Sequence, residues 1–185
     1  GSLGMCPEAL DNRLKEVAEL RNGSLFNKFT GNKISAVVPV HVFGLPAKIK
    51  EIKEVCLKWD LPLVEDSAEA LGSRVDNKGE LIHCGCFGEI GILSFNGNKI
   101  ITSGGGGLIV SNNKLLGEKC RHLTTTAKKS HPFEFIHDEV GFNFRMPNIN
   151  AALACAQIEN LENFLWNKRK LASEPDTICS YREPV

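Results

Sequence analysis

The chain has 185 residues, 42% hydrophobic and 24% charged, with 22 basic side chains against 22 acidic ones. That balance suits an ordinary soluble globular domain with enough apolar residues for a core, and no basic excess recommends a nucleic-acid partner. No run approaches the roughly eighteen apolar residues that span a bilayer, and the start lacks the charged and apolar regions of a signal peptide. A cytoplasmic home is therefore the expectation, with neither membrane nor nucleic acid as partner.

Gly1-Ser2 reads as a cloning remnant and is set aside. From Pro7, which suits a first helical turn, Leu10, Leu14, Val17 and Ala18 recur at helical spacing and predict an amphipathic helix. Asn22-Gly23 and Thr30-Gly31-Asn32 are turn signals on either side of a polar excursion. The β-branched run 34–40 predicts a strand with His41 and Gly44 at its carboxyl end. A helix opened by Pro46 carries Ile49, Ile52, Val55 and Trp59 and stops before Pro62, after which Leu63-Val64 begins the next strand. Further strands are expected at 90–95 and 107–110, and a helix at 115–123. A polar loop then runs through Lys128-Lys129 to Asp138. One long helix starts at Pro147-Asn148, with Asn148 as cap and Leu153, Ala154, Ile158, Leu161 and Leu165 on one stripe. From Ala172 the pattern dissolves into a tail. Alternating strands and helices imply an α/β fold whose mainly parallel sheet is covered on both faces and binds ligands at the carboxyl ends of its strands.

Two residues at those ends carry chemistry. Lys99 follows the apolar run 90–95, and Asp66 ends the run before it. A lysine that can form a Schiff base, with an aspartate able to hold a pyridinium nitrogen, is the minimal equipment for pyridoxal phosphate chemistry; the same two residues can equally be a surface ion pair. The seven cysteines lie scattered in apolar surroundings, which suits reduced thiols. His83-Cys84-Gly85-Cys86 offers three soft ligands, but no second pair follows at useful spacing, so it reads as a turn and no metal is expected. The glycines 104–107 lack the spacing of a nucleotide-binding motif and read as tight backbone passage beside the lysine.

The surrounding segments decide between the readings of Lys99. Pro39-Val40-His41-Val42-Phe43-Gly44, Glu65-Asp66-Ser67-Ala68-Glu69, Ser94-Phe95-Asn96-Gly97-Asn98-Lys99 and Gly141-Phe142-Asn143-Phe144-Arg145-Met146 occur in one order. Together they resemble the DegT-type nucleotide-sugar aminotransferases of fold type I, and most closely the branch that serves legionaminic-acid-like sugars, with its run of glycines after the lysine and a segment like Thr125-Thr126-Ala127-Lys128. The resemblance implies a three-layer fold type I large domain that is incomplete. Residues 3–171 would be part of the cofactor-binding domain and 172–185 a tail, with the small domain and the amino-terminal phosphate-gripping helix absent. It implies pyridoxal 5'-phosphate held covalently by Lys99, with Asp66 on the ring nitrogen, Glu69 beside the ring oxygen and Ser94 on the phosphate. Asn143 would reach the phosphate of a neighbouring subunit in a homodimer. His41, at a strand end, is a candidate for contact with substrate or cofactor and Lys128 for contact with a nucleotide diphosphate, a structural histidine and a solvated lysine being the alternatives. The implied reaction moves nitrogen from an amino acid, glutamate by expectation, to a nucleotide-linked 4-keto-6-deoxy sugar. The alternative is a non-catalytic piece that dimerises and binds the cofactor weakly. Phe142 and Phe144 stand where tyrosines are common, which reads either as packing at an interface or as loss of a substrate hydrogen bond.

Overall fold

The computed structural model of the chain describes residues 3–174. Pro7 opens α1 (Pro7–Val17), where its missing N–H costs no hydrogen bond, and Leu14 and Val17 turn inward. The chain then doubles back as a hairpin absent from the sequence-based reading, β1 (Ala18–Arg21) against β2 (Ser24–Asn27). Asn22 and Gly23 both take positive φ, 48° and 74°, as a two-residue hairpin turn requires. The strand expected at 34–40 survives only as single parallel bridges, Val37 to Leu63 and Val40 to Asp66. Pro39 explains this: it has no N–H to give a ladder, and only its carbonyl is used, accepting from the Asp66 N–H at 2.9 Å.

The second helix, α2 (Ile49–Lys58), buries Ile49, Ile52 and Cys56. Its end is tied to α1, because Lys58 Nζ and Trp59 Nε1 donate to Asp11 at 2.7 and 2.8 Å. The chain enters β3 (Val64–Asp66), then a second unforeseen hairpin, β4 (Arg74–Asn77) against β5 (Glu80–His83). It returns through β6 (Ile90–Ser94) and β7 (Gly107–Val110). The central sheet has the order β3-β6-β7, with β3 and β6 parallel and β7 antiparallel, so it is mixed at one edge.

Leu14, Val37, Ile52, Leu63 and Phe87 pack in one cluster between the first two helices and the sheet. On the opposite face Val40, Ile92 and Ile109 share a register row and remain 41 to 47% exposed. Along that face runs a groove of about 1260 Å³, bordered by α3 (Lys114–Thr124) and by Arg145, Met146 and Asn150. The Asn113 side chain caps α3 by accepting from the Leu116 N–H at 3.2 Å.

The single long helix expected after Pro147 is two, α4 (Asn148–Ile158) and α5 (Leu161–Ser173). Asn160 interrupts them, its Nδ2 donating to the Ala156 carbonyl at 3.0 Å, the local competition with helical bonding that asparagine favours. The expected cap is also corrected: Pro147 holds that position and Asn148 is the first helical residue. α5 docks through Leu165 on Gly72, where a Cβ would stand 2.6 Å from the leucine methyls. It persists to Ser173, beyond the expected start of the tail at Ala172, and the rest of that tail, 175–185, lies outside the described residues. Among the described residues no helix is long and apolar enough to cross a membrane.

Candidate active site

Strand alternation decides which face can hold a ligand. Residues paired in register point to the same side, so Asp66, opposite Ile92 on β6, shares its face with Ser94 two residues further on. Both side chains therefore stand on the open face at the carboxyl ends of two parallel strands, where α/β sheets bind their ligands. Glu65, one residue earlier, points the other way, into the core. The Asp66 carboxylate accepts from the Ala68 N–H at 3.1 Å through Oδ1. Ser94 Oγ accepts from the Asn96 N–H at 3.3 Å, which leaves its proton to donate.

The loop after β6 is anchored on both sides of Lys99 by Phe95 and Ile101, 2% and 1% exposed. It turns tightly at Asn96, whose carbonyl accepts the Lys99 N–H at 3.1 Å. The end of the glycine run passes close to β6 rather than to the lysine. Gly106 has φ +84°, and a Cβ on Gly107 would lie 2.2 Å from the Leu93 carbonyl oxygen, so only glycine passes β6 this closely.

Lys99 Nζ donates to Glu69 Oε1 at 3.1 Å, and its side chain is 14% exposed. Glu69 Oε2 in turn accepts from the Phe43 N–H at 2.8 Å. That N–H first, and the lysine second, hold the Glu69 carboxyl below its ordinary range, so Glu69 stands as an ionised acceptor. Phe43 takes φ 55°, a left-handed conformation that costs a non-glycine residue about 1 kcal/mol or more.

The remaining candidates lie elsewhere. Asn143 pairs with Thr125 across a single bridge and accepts from Arg145 Nε at 3.1 Å. Lys128 stacks its ammonium over the Phe135 ring, 3.8 Å from the centroid. The expectation for His41 is corrected. It is 0% exposed, with Nδ1 accepting from the Ala47 N–H at 3.1 Å and Nε2 on Glu65 at 3.1 Å, so neither nitrogen is left for a substrate. The turn at 83–86 serves the same buried carboxylate, since the Gly85 N–H donates to Glu65. Burial, then the charge of Glu65, pushes the Cys84 thiol up to about 12, as suits a buried, unreactive thiol. His122, Asp138 and Glu139 do converge, but Lys119 pairs with Glu139 and Lys129 with Asp138, so those carboxylates already have cations.

The profile of the DegT/DnrJ/EryC1/StrS aminotransferase family matches residues 21–177. The chain belongs to this family. Similar relatives include the GDP-perosamine synthase of Escherichia coli O157:H7, 40% identical over 76% of this chain and 37% of that protein. The putative pyridoxal phosphate-dependent aminotransferase EpsN of Bacillus subtilis is 39% identical over 90% of this chain and 39% of its own length. Among solved structures, Helicobacter pylori PseC, an aminotransferase involved in the biosynthesis of pseudoaminic acid, aligns with a TM-score of 0.64. It is 30% identical over 69% of this chain and 34% of its own. The DegT-family chain thus spans well under half the length of these relatives.

Glu65 is the residue that sequence reading passed over. Its signal was a charged residue directly after the apolar segment 61–64, where only a partnered carboxylate can be buried.

Proposed function

We propose that this chain supplies the cofactor-holding part of a pyridoxal phosphate-dependent sugar aminotransferase. The observation that carries the reading is the shared open face of Asp66 and Ser94, with Lys99 presented from the adjoining loop by Glu69. These residues suit the cofactor chemically: an amine for its aldehyde, a carboxylate with little other engagement for its ring nitrogen, and a hydroxyl with a free proton for its phosphate. When bound, the cofactor supplies an electron sink for the carbon that gains or loses nitrogen.

The rest is work for the chain. Lys99 Nζ would anchor the cofactor covalently and, once displaced by the incoming amine, carry a proton between substrate carbon and cofactor carbon. Glu69 would keep that amine oriented. Asp66 would hold the proton on the ring nitrogen by charge, and Ser94 Oγ would donate to a phosphate oxygen. Asn143 would serve the neighbouring subunit. The substrate in this reading is a nucleotide-linked 4-keto-6-deoxy sugar of the UDP-N-acetyl type with glutamate as donor, in the legionaminic-acid-like branch. The name of the Escherichia coli relative supports a nucleotide-linked sugar while pointing to GDP. An absorbance band in the visible on adding the cofactor, followed by turnover of UDP- and GDP-linked keto sugars with glutamate, tests the reading. No band at saturating cofactor would overturn it.

Two results are expected here. Asp66→Asn stays folded and loses about a hundredfold in transamination, because a neutral amide cannot hold the ring proton by charge; near-normal turnover would remove that role. The exposed apolar residues around α4, among them Phe144 at 70% stacked 5.1 Å from Phe142 and Ile149 at 80%, should be covered in a homodimer. Sedimentation should then show a dimer, and a stable monomer at high concentration would count against it.

A further inference from the structure

The buried pair of His41 and Glu65 has its own connection to the lysine. Since the Ala47 N–H donates to Nδ1, that nitrogen carries a lone pair, and the ring must be the neutral tautomer with its proton on Nε2, given to Glu65. Glu65 is filled from every side, by His41 and by the N–H groups of Gly85, Phe87 and Gly88 at 2.6 to 2.9 Å. The imidazole is therefore fixed at both ends.

What it fixes is a turn. Its bond to Ala47 closes residues 41–47, and within that closure the Gly44 N–H donates to the His41 carbonyl at 3.0 Å. The turn holds Phe43 at φ 55° and aims its N–H at Glu69, whose other oxygen meets Lys99. A left-handed phenylalanine persists only where its surroundings over-determine it. The His41 backbone N–H is also bonded to the Asp66 carbonyl at 3.0 Å, so the device is attached to the strand that carries the second proposed cofactor residue.

We propose that His41 is a positioning residue for Lys99, acting through the left-handed turn at Phe43 and the Glu69 carboxylate. Its relevance to catalysis rests on the reading that Lys99 takes the cofactor, while the mechanical coupling stands apart from that reading.

Asparagine and glutamine separate the two bonds of the ring. Asparagine can place its oxygen near Nδ1 and keep Ala47, whereas glutamine can place its nitrogen near Nε2 and keep Glu65. In His41→Gln the Phe43 amide should exchange with solvent roughly tenfold faster, the cost of a loosened buried closure. By carbon NMR the Glu69 carboxyl should titrate closer to its ordinary value of about 4.5. Lys99, the charged group facing Glu69, should cease to follow that titration at its Cε. In His41→Asn all three should stay near those of the unsubstituted chain, with exchange within about twofold. Equal effects from the two substitutions, or none from His41→Gln, would overturn the proposal.

If His41→Gln does not fold, Glu69→Ala decides. It should free the Phe43 amide roughly tenfold with the helices intact, and unchanged exchange would overturn the proposal. Borohydride labelling with pyridoxal phosphate, run on the unsubstituted chain, keeps the two claims apart. Coupling as described without label at Lys99 would refute the functional reading and support the positioning device.

Discussion

On the proposed function, Lys99→Ala is expected to lower transamination at least roughly a thousandfold while far-UV circular dichroism stays unchanged. The side chain, 14% exposed, has Glu69 as its ionic partner among the described residues and stands outside the apolar core cluster, so its removal should leave the fold intact. Lys99→Arg sharpens the point. A guanidinium keeps the charge opposite Glu69 but has no nucleophilic amine at working pH, so it should be as inactive as alanine. Activity in Lys99→Arg would mean that the pair with Glu69, rather than the amine, is what matters.

Glu65→Ala is expected to be the most destabilising single change in the described residues, by about 3–5 kcal/mol in urea unfolding. It leaves His41 Nε2 and the N–H groups of Gly85, Phe87 and Gly88 without their acceptor. Each orphaned donor costs about 1–3 kcal/mol, and the sum falls short of additive because the turn at 85–88 can relax toward water. The pH dependence has a definite sign. Burial alone would raise the Glu65 carboxyl, but His41 and the N–H groups of Gly85, Gly88 and Phe87 outweigh it and leave it below its ordinary value of about 4.5. Its contribution is therefore complete above that value and is lost as the pH falls through the lower, folded value. Glu65→Gln should flatten that part of the acid limb, and an unaltered limb would show that another carboxylate governs it.

The strands that begin at 64, 90 and 107 were legible because each is a short apolar run beside motif residues. Asp66 ends one such run, Ser94 closes the strand of the next and Lys99 follows it, but only the pairing of β3 with β6 puts Asp66 and Ser94 on one face. The two hairpins were hidden for a local reason. Ala18–Arg21 and Arg74–Asn77 are four-residue strands rich in charge, with no alternation to distinguish them from loop, even though Asn22-Gly23 marked the first turn. The split between α4 and α5 depends on one asparagine within a stripe that otherwise continues. The burial of His41 was not legible because its acidic partner is remote: Glu65 lies 24 residues away, and nothing in a single chain records which buried carboxylate meets which ring.

The central claim is that Lys99 is the residue that holds the cofactor. Incubation with pyridoxal phosphate, reduction with borohydride and peptide mapping test it most directly. The account predicts the reduced label on the peptide containing Lys99, in clear excess over surface lysines such as Lys128. A label concentrated on another lysine, or spread evenly with no excess at Lys99, would contradict it.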